Sequence, residues 1–174
     1  MIRDKRQMKG TLKSFNSKEH RVYDSKGKRA IISYLQRTLP NLKHVENPDQ
    51  YGIDVVSLNA NQEVVACWEV EVRHGNWQGD RTFPFREINC IERKDYQWRK
   101  EKEFLDKIPY KMSEDYNVFY VQMNKECTRA AIIDGNTVLE YPLKPWRNRK
   151  AQGEYVRQVP ISRVKQCVLV EGKQ

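Results

Sequence analysis

The chain has 174 residues, 39% hydrophobic and 32% charged, with a formal net charge of +9. This length predicts one domain, spanning residues 1–174, and the clustering of apolar residues into runs excludes a disordered chain. No run approaches the roughly 20 apolar residues that cross a bilayer, and no apolar segment follows the basic start, so we expect a cytoplasmic protein with no membrane partner and no signal peptide.

The basic charge is concentrated at the two ends of the chain. Residues 1–29 hold ten Lys or Arg against three acids, residues 142–174 hold eight against two, and residues 30–141 hold 14 against 18. An acidic centre between basic ends is typical of a protein that holds cations centrally and binds a polyanion with its flanks. A solvated basic surface would have the same composition, so charge alone leaves both interpretations open.

The first half of the chain predicts a helix followed by strands. A basic arm is predicted for residues 1–15, and a helix is expected over 24–38, with Asp24 or Ser25 as its N-cap. The sequences GIDVVSL and EVVACWEVEVR predict two strands joined as an antiparallel hairpin through the short link at 59–62. Residues 82–91 predict a third strand.

The second half of the chain predicts further helices and strands. Asp95 is expected to cap a helix over 96–107, and the apolar sequence NVFYVQM predicts a strand buried on both faces. Residues 128–141 predict a further hairpin around Gly135-Asn136, and the basic segment 142–174 ends in a strand. The predicted fold is therefore a single mixed α/β domain with extra β structure at its C-terminal end.

The four cysteines are spaced too widely for a zinc-type pair. Three of them lie within apolar runs, where a cysteine behaves as a small hydrophobic residue. We therefore expect reduced, structural thiols.

Three carboxylates carry the strongest chemical signal. Glu69 and Glu71 are two apart in a strand and so leave the same face, with Arg73 beyond them. The expected hairpin places Asp54 opposite Cys67, within diagonal reach of Glu69. Carboxylates so close together repel one another and need neutralising, and Mg²⁺ or Mn²⁺ is the natural partner. The alternative is a solvated strand face, but an Asp inside the apolar run GIDVV is disfavoured by strand propensity and by burial.

These residues resemble the PD-(D/E)XK nuclease superfamily. The resemblance lies in a helix, then Gly-Ile-Asp at a strand, then Trp-Glu-Val-Glu-Val-Arg on the next strand, and it covers about residues 24–124. It implies a restriction-endonuclease-like αβββαβ core in which Asp54 is the motif Asp, Glu69 the acidic residue, and Glu71 stands in the lysine position. A second register, Glu71-Val72-Arg73, would make Arg73 the lysine substitute.

The resemblance implies a Mg²⁺-dependent (or Mn²⁺-dependent) endonuclease, with Asp54, Glu69 and Glu71 as metal ligands. Lys94, after the third strand, is a candidate displaced lysine, although a surface charge in a polar turn is the simpler interpretation. The expected partner is nucleic acid, most simply DNA held by Arg147, Arg149 and Lys150, and cleavage of both strands would favour a homodimer. A non-catalytic nucleic-acid-binding or protein-binding module on the same fold is the alternative.

Overall fold

The computed structural model describes residues 17–147 and 153–170, with side chains from residue 21 onward, and contains both helices and strands. In chain order they are α1 (Ser17–Thr38), β1 (Lys43–Glu46), β2 (Val55–Leu58), β3 (Val64–Val72), β4 (Glu87–Ile91), α2 (Asp95–Trp98), α3 (Lys102–Leu105), β5 (Met112–Met123), β6 (Arg129–Asp134), α4 (Gly135–Leu139), β7 (Leu143–Pro145), β8 (Tyr155–Pro160) and β9 (Lys165–Val168). A 3₁₀ helix, Glu92–Lys94, leads directly into α2.

The main sheet has six strands in the order β1-β2-β3-β5-β6-β9. Strands β3 and β5 run parallel, and the other neighbouring pairs in this sheet are antiparallel. A parallel pair requires a crossover connection, and here the crossover contains β4, α2 and α3. Strand β4 pairs with β8 in a second sheet of order β4-β8-β7. Strand β3 is therefore central in the main sheet, with a neighbour on each side.

Helix α1 covers one face of the main sheet. Its apolar side chains recur at helical spacing, and Ile31 and Leu35 pack with Trp68 of β3 in one buried cluster. The helix can approach the sheet closely because residue 27 is glycine. A Cβ at Gly27 would lie 2.9 Å from Cγ2 of Val72, too close for any ordinary contact.

The opposite face of the main sheet packs against the second sheet and the short helices. Trp77, Trp98 and Tyr120 are the largest side chains buried there, each 1% exposed. Within this layer Arg157 of β8 forms an ion pair with Asp95 of α2, with 2.8 Å between Nη2 and Oδ2. Both residues are buried, so the pair ties α2 to the second sheet.

The predicted mixed α/β class is confirmed, and the chain forms one compact domain with a mixed main sheet and a small second sheet. The predicted antiparallel hairpin is also found, as β2 and β3. The four thiols are free, and burial raises the pKa of both Cys67 and Cys90 to about 12, which suits a structural role. In the described parts of the chain, no helix combines the length and the apolar character needed to cross a membrane.

Several predicted elements differ from the structure in the first half of the chain. Helix α1 begins at Ser17, so Asp24 and Ser25 lie inside it and do not cap it. Strand β1 was not predicted, because its residues KHVE lack an apolar alternation and only His44 is buried. The third predicted strand is confined to β4 and lies in the second sheet, not beside β3.

The predicted helix over 96–107 is two short helices, α2 and α3, separated where Lys100 takes a positive φ of 56°. Asp95 does not cap it, because its carboxylate pairs with Arg157. The predicted hairpin at 128–141 is wrong: Asp134 accepts a hydrogen bond from the Asn136 amide, 2.7 Å, and begins α4. The predicted arm at residues 1–15 lies outside the described residues.

Candidate functional site

The two glutamates of β3 leave the sheet on the face opposite α1, as their spacing predicts. Val70 and Val72, which alternate with them, belong to the core beneath α1. Glu69 is 8% exposed, and Glu71 is partly buried. The strand therefore presents two acidic side chains to an interior layer rather than to solvent.

Asp54 lies directly before β2 and aligns with Glu69, not with Cys67. The structure pairs Val55 with Trp68 and Val56 with Cys67, which brings residue 54 level with residue 69. The predicted register was wrong for two local reasons. First, the Asn59 amide donates a hydrogen bond to the Glu63 carbonyl at 2.9 Å, so the turn closes at a different pair of residues from the one predicted. Second, an irregularity between Ser57 and Leu58 shifts the pairing of β2 with β3.

Asp54 is held at the end of the β2–β3 pairing by two donors. Its Oδ2 accepts a hydrogen bond from the Val70 amide at 2.7 Å, and its Oδ1 lies 3.2 Å from Nζ of Lys28, which reaches down from α1. Burial, reinforced by the charge of Glu69, raises the pKa of Asp54 to about 7 against the opposing effects of these donors. Asp54 and Glu69 are thus close enough for each charge to disfavour the other.

Glu69 is bound from the crossover segment. Lys94, at the end of the 3₁₀ helix, donates to Oε1, and Gln97 of α2 donates to Oε2 at 3.1 Å. The Lys94 side chain is only 21% exposed, so it is not the surface charge that its polar turn suggested. Burial lowers its pKa, but Glu69 and Glu71 outweigh burial and the net direction is upward. Lys94 therefore stays charged and lies among the carboxylates.

Glu71 and Arg73 are joined by a chain of side chains on β5. The hydroxyl of Tyr120 donates to Glu71 and accepts from the Gln122 amide, 2.9 Å. Arg73 Nη1 donates to Oε1 of Gln122 at 2.7 Å. Burial, reinforced by Glu71, raises the pKa of Tyr120, so the hydroxyl keeps its proton and acts as a donor. Arg73 thus reaches Glu71 through two intermediaries.

The cluster formed by Asp54, Glu69, Glu71, Lys28 and Lys94 holds three carboxylates and two ammonium groups. Neutralisation was expected from a metal ion, and the two lysines supply part of it. Among the described residues, no group of three or more His, Cys, Asp or Glu side chains converges on a point where a metal ion would be held. With all three carboxylates ionised, the cluster carries one excess negative charge in a largely buried setting, and Lys28 is also shared with Asp24 at 3.2 Å.

No protein-family model matches the chain, and no characterised protein matches its sequence. The likeness to PD-(D/E)XK nucleases therefore depends on the residues of β2 and β3 themselves.

The structure brings together Asp54, Glu69, Glu71 and Lys94, and it places Arg73 one step away. Arg147 is exposed just after β7, remote in sequence from these residues, whereas Arg149 and Lys150 lie outside the described residues. One contributor to the cluster, Lys28, gave no sequence signal, because it looks like any helical surface lysine. Tyr120 and Gln122 gave a weak one, since polar atoms two apart in an apolar strand mark one face.

Proposed function

We propose that this chain is a metal-dependent nuclease that hydrolyses phosphodiester bonds of nucleic acid, most simply DNA. The observation that carries the proposal is the pair Asp54 and Glu69, aligned on neighbouring strands with the pKa of Asp54 raised to about 7. Placing two carboxylates together in a buried setting is unfavourable unless a cation binds to them. Such perturbed groups are enriched at functional sites.

The donor set suits a hard divalent cation. Asp54, Glu69 and Glu71 offer carboxylate oxygens, the ligands that Mg²⁺ and Mn²⁺ prefer, and the excess negative charge favours a cation. When bound, the ion would supply Lewis-acid activation of water and of the phosphodiester oxygen. Loss of the Asp54 proton near neutral pH prepares this carboxylate for a cation.

The chain's own residues position these carboxylates. The Val70 amide orients Asp54, Gln97 orients Glu69, and Tyr120 orients Glu71. Each contact fixes one oxygen of a carboxylate, a supporting arrangement that sites of this kind need. Lys94 adds a buried positive charge beside Glu69, where it would attract a phosphate as well as hold the carboxylate.

The order of elements supports the finer fold assignment. If β4 is assigned to the second sheet, the sequence α1, β1, β2, β3, the α2–α3 crossover and β5 follows an αβββαβ order. The first three strands are antiparallel neighbours, and β5 joins β3 in parallel after the helical crossover. We infer a restriction-endonuclease-like core from this order together with the residues of the resemblance.

A non-catalytic binding module is the second candidate, and one observation favours it. Lys28 and Lys94 already pair with Asp54 and Glu69, so much of the negative charge is balanced without a metal ion. In a binding module these lysines would stabilise the fold, and the basic ends of the chain would hold the polyanion.

The deciding experiment is Mn²⁺-dependent cleavage of plasmid, linear duplex and single-stranded DNA in parallel. Asp54→Asn removes one carboxylate charge, and Asp106→Asn is its matched control, since Asp106 is 58% exposed and pairs with Lys102 on α3. We expect Mn²⁺-dependent cleavage that Asp54→Asn abolishes and Asp106→Asn retains. A chain that shifts DNA without metal and never cleaves it is the binding module.

A further inference from the structure

A groove of about 340 Å³ lies at the far end of the Arg73 hydrogen-bond chain, between β4 and the segment after β7. Its volume falls in the roughly 300–1,000 Å³ range of small-ligand sites. Arg73 lines it and also reaches the carboxylate cluster through Gln122, Tyr120 and Glu71. A chain of hydrogen-bonded side chains therefore links the groove to the cluster.

Two aromatic side chains line this groove. Phe85 exposes 41% of its surface, which is unusual for a phenylalanine, and Trp146 is partly exposed. Arg73 supports the Phe85 ring, with its guanidinium carbon 5.5 Å from the ring centroid, and Phe83 packs against it edge-on at 5.5 Å. The ring is thus held in place while part of it faces the groove.

The polar lining of the groove matches a nucleotide. Arg73 and Arg86 supply positive charge against the single acid Glu87. Asn89 and Gln158, whose side chains approach each other at 3.4 Å, offer amide donors and acceptors. Aromatic faces with arginines and amides are the combination that binds unpaired bases and their phosphates.

We propose that this groove binds an unpaired nucleobase of a single-stranded DNA segment, stacked on Phe85 beside Trp146, with its phosphate held by Arg86 or Arg73. Paired bases in a duplex cannot present their faces to such a ring, so the groove selects single-stranded or locally opened DNA. The inference rests on the proposed function, because the groove would hold the strand whose backbone reaches the carboxylates.

Trp146 provides a direct readout of binding. The chain has four tryptophans, and the other three, Trp68, Trp77 and Trp98, are at most 5% exposed. Quenching of fluorescence by added DNA therefore reports on Trp146. The probes are an oligothymidylate, an abasic strand of the same length and a duplex, each added to the full chain in EDTA so that cleavage cannot occur.

Phe85→Ala removes the exposed ring, and Phe85→Leu keeps apolar bulk against Phe83 but has no aromatic face. Tyr51→Ala is the matched control, because Tyr51 is 74% exposed and does not line the groove. We expect each Phe85 variant to weaken oligothymidylate binding about tenfold and Tyr51→Ala to change it less than twofold. The abasic strand should bind as weakly to the wild type as oligothymidylate binds to Phe85→Ala.

The proposal is overturned if the abasic strand or the duplex binds and quenches as well as oligothymidylate, or if neither Phe85 variant weakens binding. Cleavage with Mn²⁺, measured on the same proteins, separates this outcome from failure of the nuclease proposal. Base-dependent binding without any cleavage would contradict the nuclease proposal and support base binding in the groove. Cleavage without base-dependent binding would support the nuclease proposal and contradict base binding in the groove.

Discussion

Two buried groups of charges lie on either side of α2, and they are built differently. In the first, Arg157 Nε and Nη2 donate to both oxygens of Asp95 at 2.8–3.2 Å, and Nη1 donates to the Tyr141 carbonyl. One planar cation meets one anion, with the geometry that makes arginine pairs directional. In the second, three carboxylates meet the two flexible ammonium groups of Lys28 and Lys94.

The difference in charge balance indicates different roles for the two groups: the Asp95–Arg157 pair anchors a helix, and the carboxylate cluster is suited to chemistry. The Asp95–Arg157 pair has no excess negative charge, since half-exposed Arg99 also lies 3.6 Å from Asp95, and the pair serves to hold α2 on the second sheet. The carboxylate cluster keeps an excess negative charge, and burial raises the pKa of Asp54 to about 7. The two groups are linked, because Lys94 precedes Asp95 and Gln97 follows it. The balanced pair thus positions two side chains of the unbalanced cluster.

The largest effect should come from breaking the balanced pair. Arg157→Ala leaves buried Asp95 with only half-exposed Arg99 nearby, whose Nη2 lies 3.6 Å from Oδ2, and this is expected to lower the free energy of unfolding by about 3–5 kcal/mol. The measurement is urea unfolding followed by circular dichroism. Arg163→Ala is the control: Arg163 pairs with Glu140 at 2.8 Å, but both side chains are about half exposed and screened by solvent, so the loss should be much smaller. Equal losses would mean that burial does not distinguish the two pairs.

The second test removes the excess charge. Because the folded pKa of Asp54 lies near 7 and the unfolded value near 4, the folded state binds more protons between these pH values, and its stability falls as pH rises through this window. Asp54→Asn cannot titrate, so its stability relative to wild type should rise from about pH 4 to 7 and then level off. The gain should not exceed the pKa difference converted at about 1.4 kcal/mol per unit, and the folded pKa already includes the opposing effect of Lys28.

The same titration predicts the pH dependence of cleavage. A protonated Asp54 is a poor metal ligand, so the cleavage rate should increase with pH through about 7. Urea unfolding of both proteins from pH 4 to 8, beside cleavage rates of the wild type, checks the two expectations. A stability difference that does not change with pH would remove the argument for a strained carboxylate.

The contrast between the two charge groups also shows what the sequence could reveal. The spacing of Glu69 and Glu71 fixes their common face, because side chains alternate in any strand. The apolar run around Asp54 likewise predicted a strand beside them. Both inferences depend on local periodicity, and both agree with the structure.

The partners could not be predicted in this way. Lys28 contacts Asp54 across 26 positions, and Arg157 contacts Asp95 across 62, with no local pattern that links either pair. Asp95 was expected to cap a helix because capping is the commonest local use of an Asp before a helical segment. A long-range partner overrode that local preference. Lys94 looked like a turn residue for the same reason, since only the crossover geometry brings it to Glu69.

The third test compares the two lysines of the unbalanced cluster. Lys94→Met keeps the length of the side chain but frees Glu69, so the Mn²⁺ concentration for half-maximal cleavage should fall severalfold. Maximal cleavage should fall about tenfold if Lys94 also attracts the phosphate. Lys28→Met frees Asp54 from the α1 side but also raises its pKa further, so it should lower the Mn²⁺ requirement only at a pH high enough to ionise Asp54, with little change in maximal rate. An inactive Lys94→Met with unchanged DNA and Mn²⁺ affinity would instead make Lys94 the missing catalytic lysine.

The smallest effect concerns a charge that belongs to neither group. Arg147 is exposed after β7, next to Trp146 of the groove, and lies in the basic segment 142–174. Exposed arginines bind phosphates without reading the base, and each such contact contributes a release of counterions. Arg147→Gln should therefore weaken binding of every DNA equally and flatten the slope of log affinity against log salt by about one unit.

Maximal cleavage should not change, because Arg147 contacts none of the carboxylates. The measurement is affinity across a salt series in Ca²⁺, with Lys43→Gln, exposed on β1 and outside both basic ends, as the control that should leave the slope unchanged. If Arg147→Gln also leaves the slope unchanged, Arg147 is solvated surface, and this part of the basic segment 142–174 does not contribute to DNA binding.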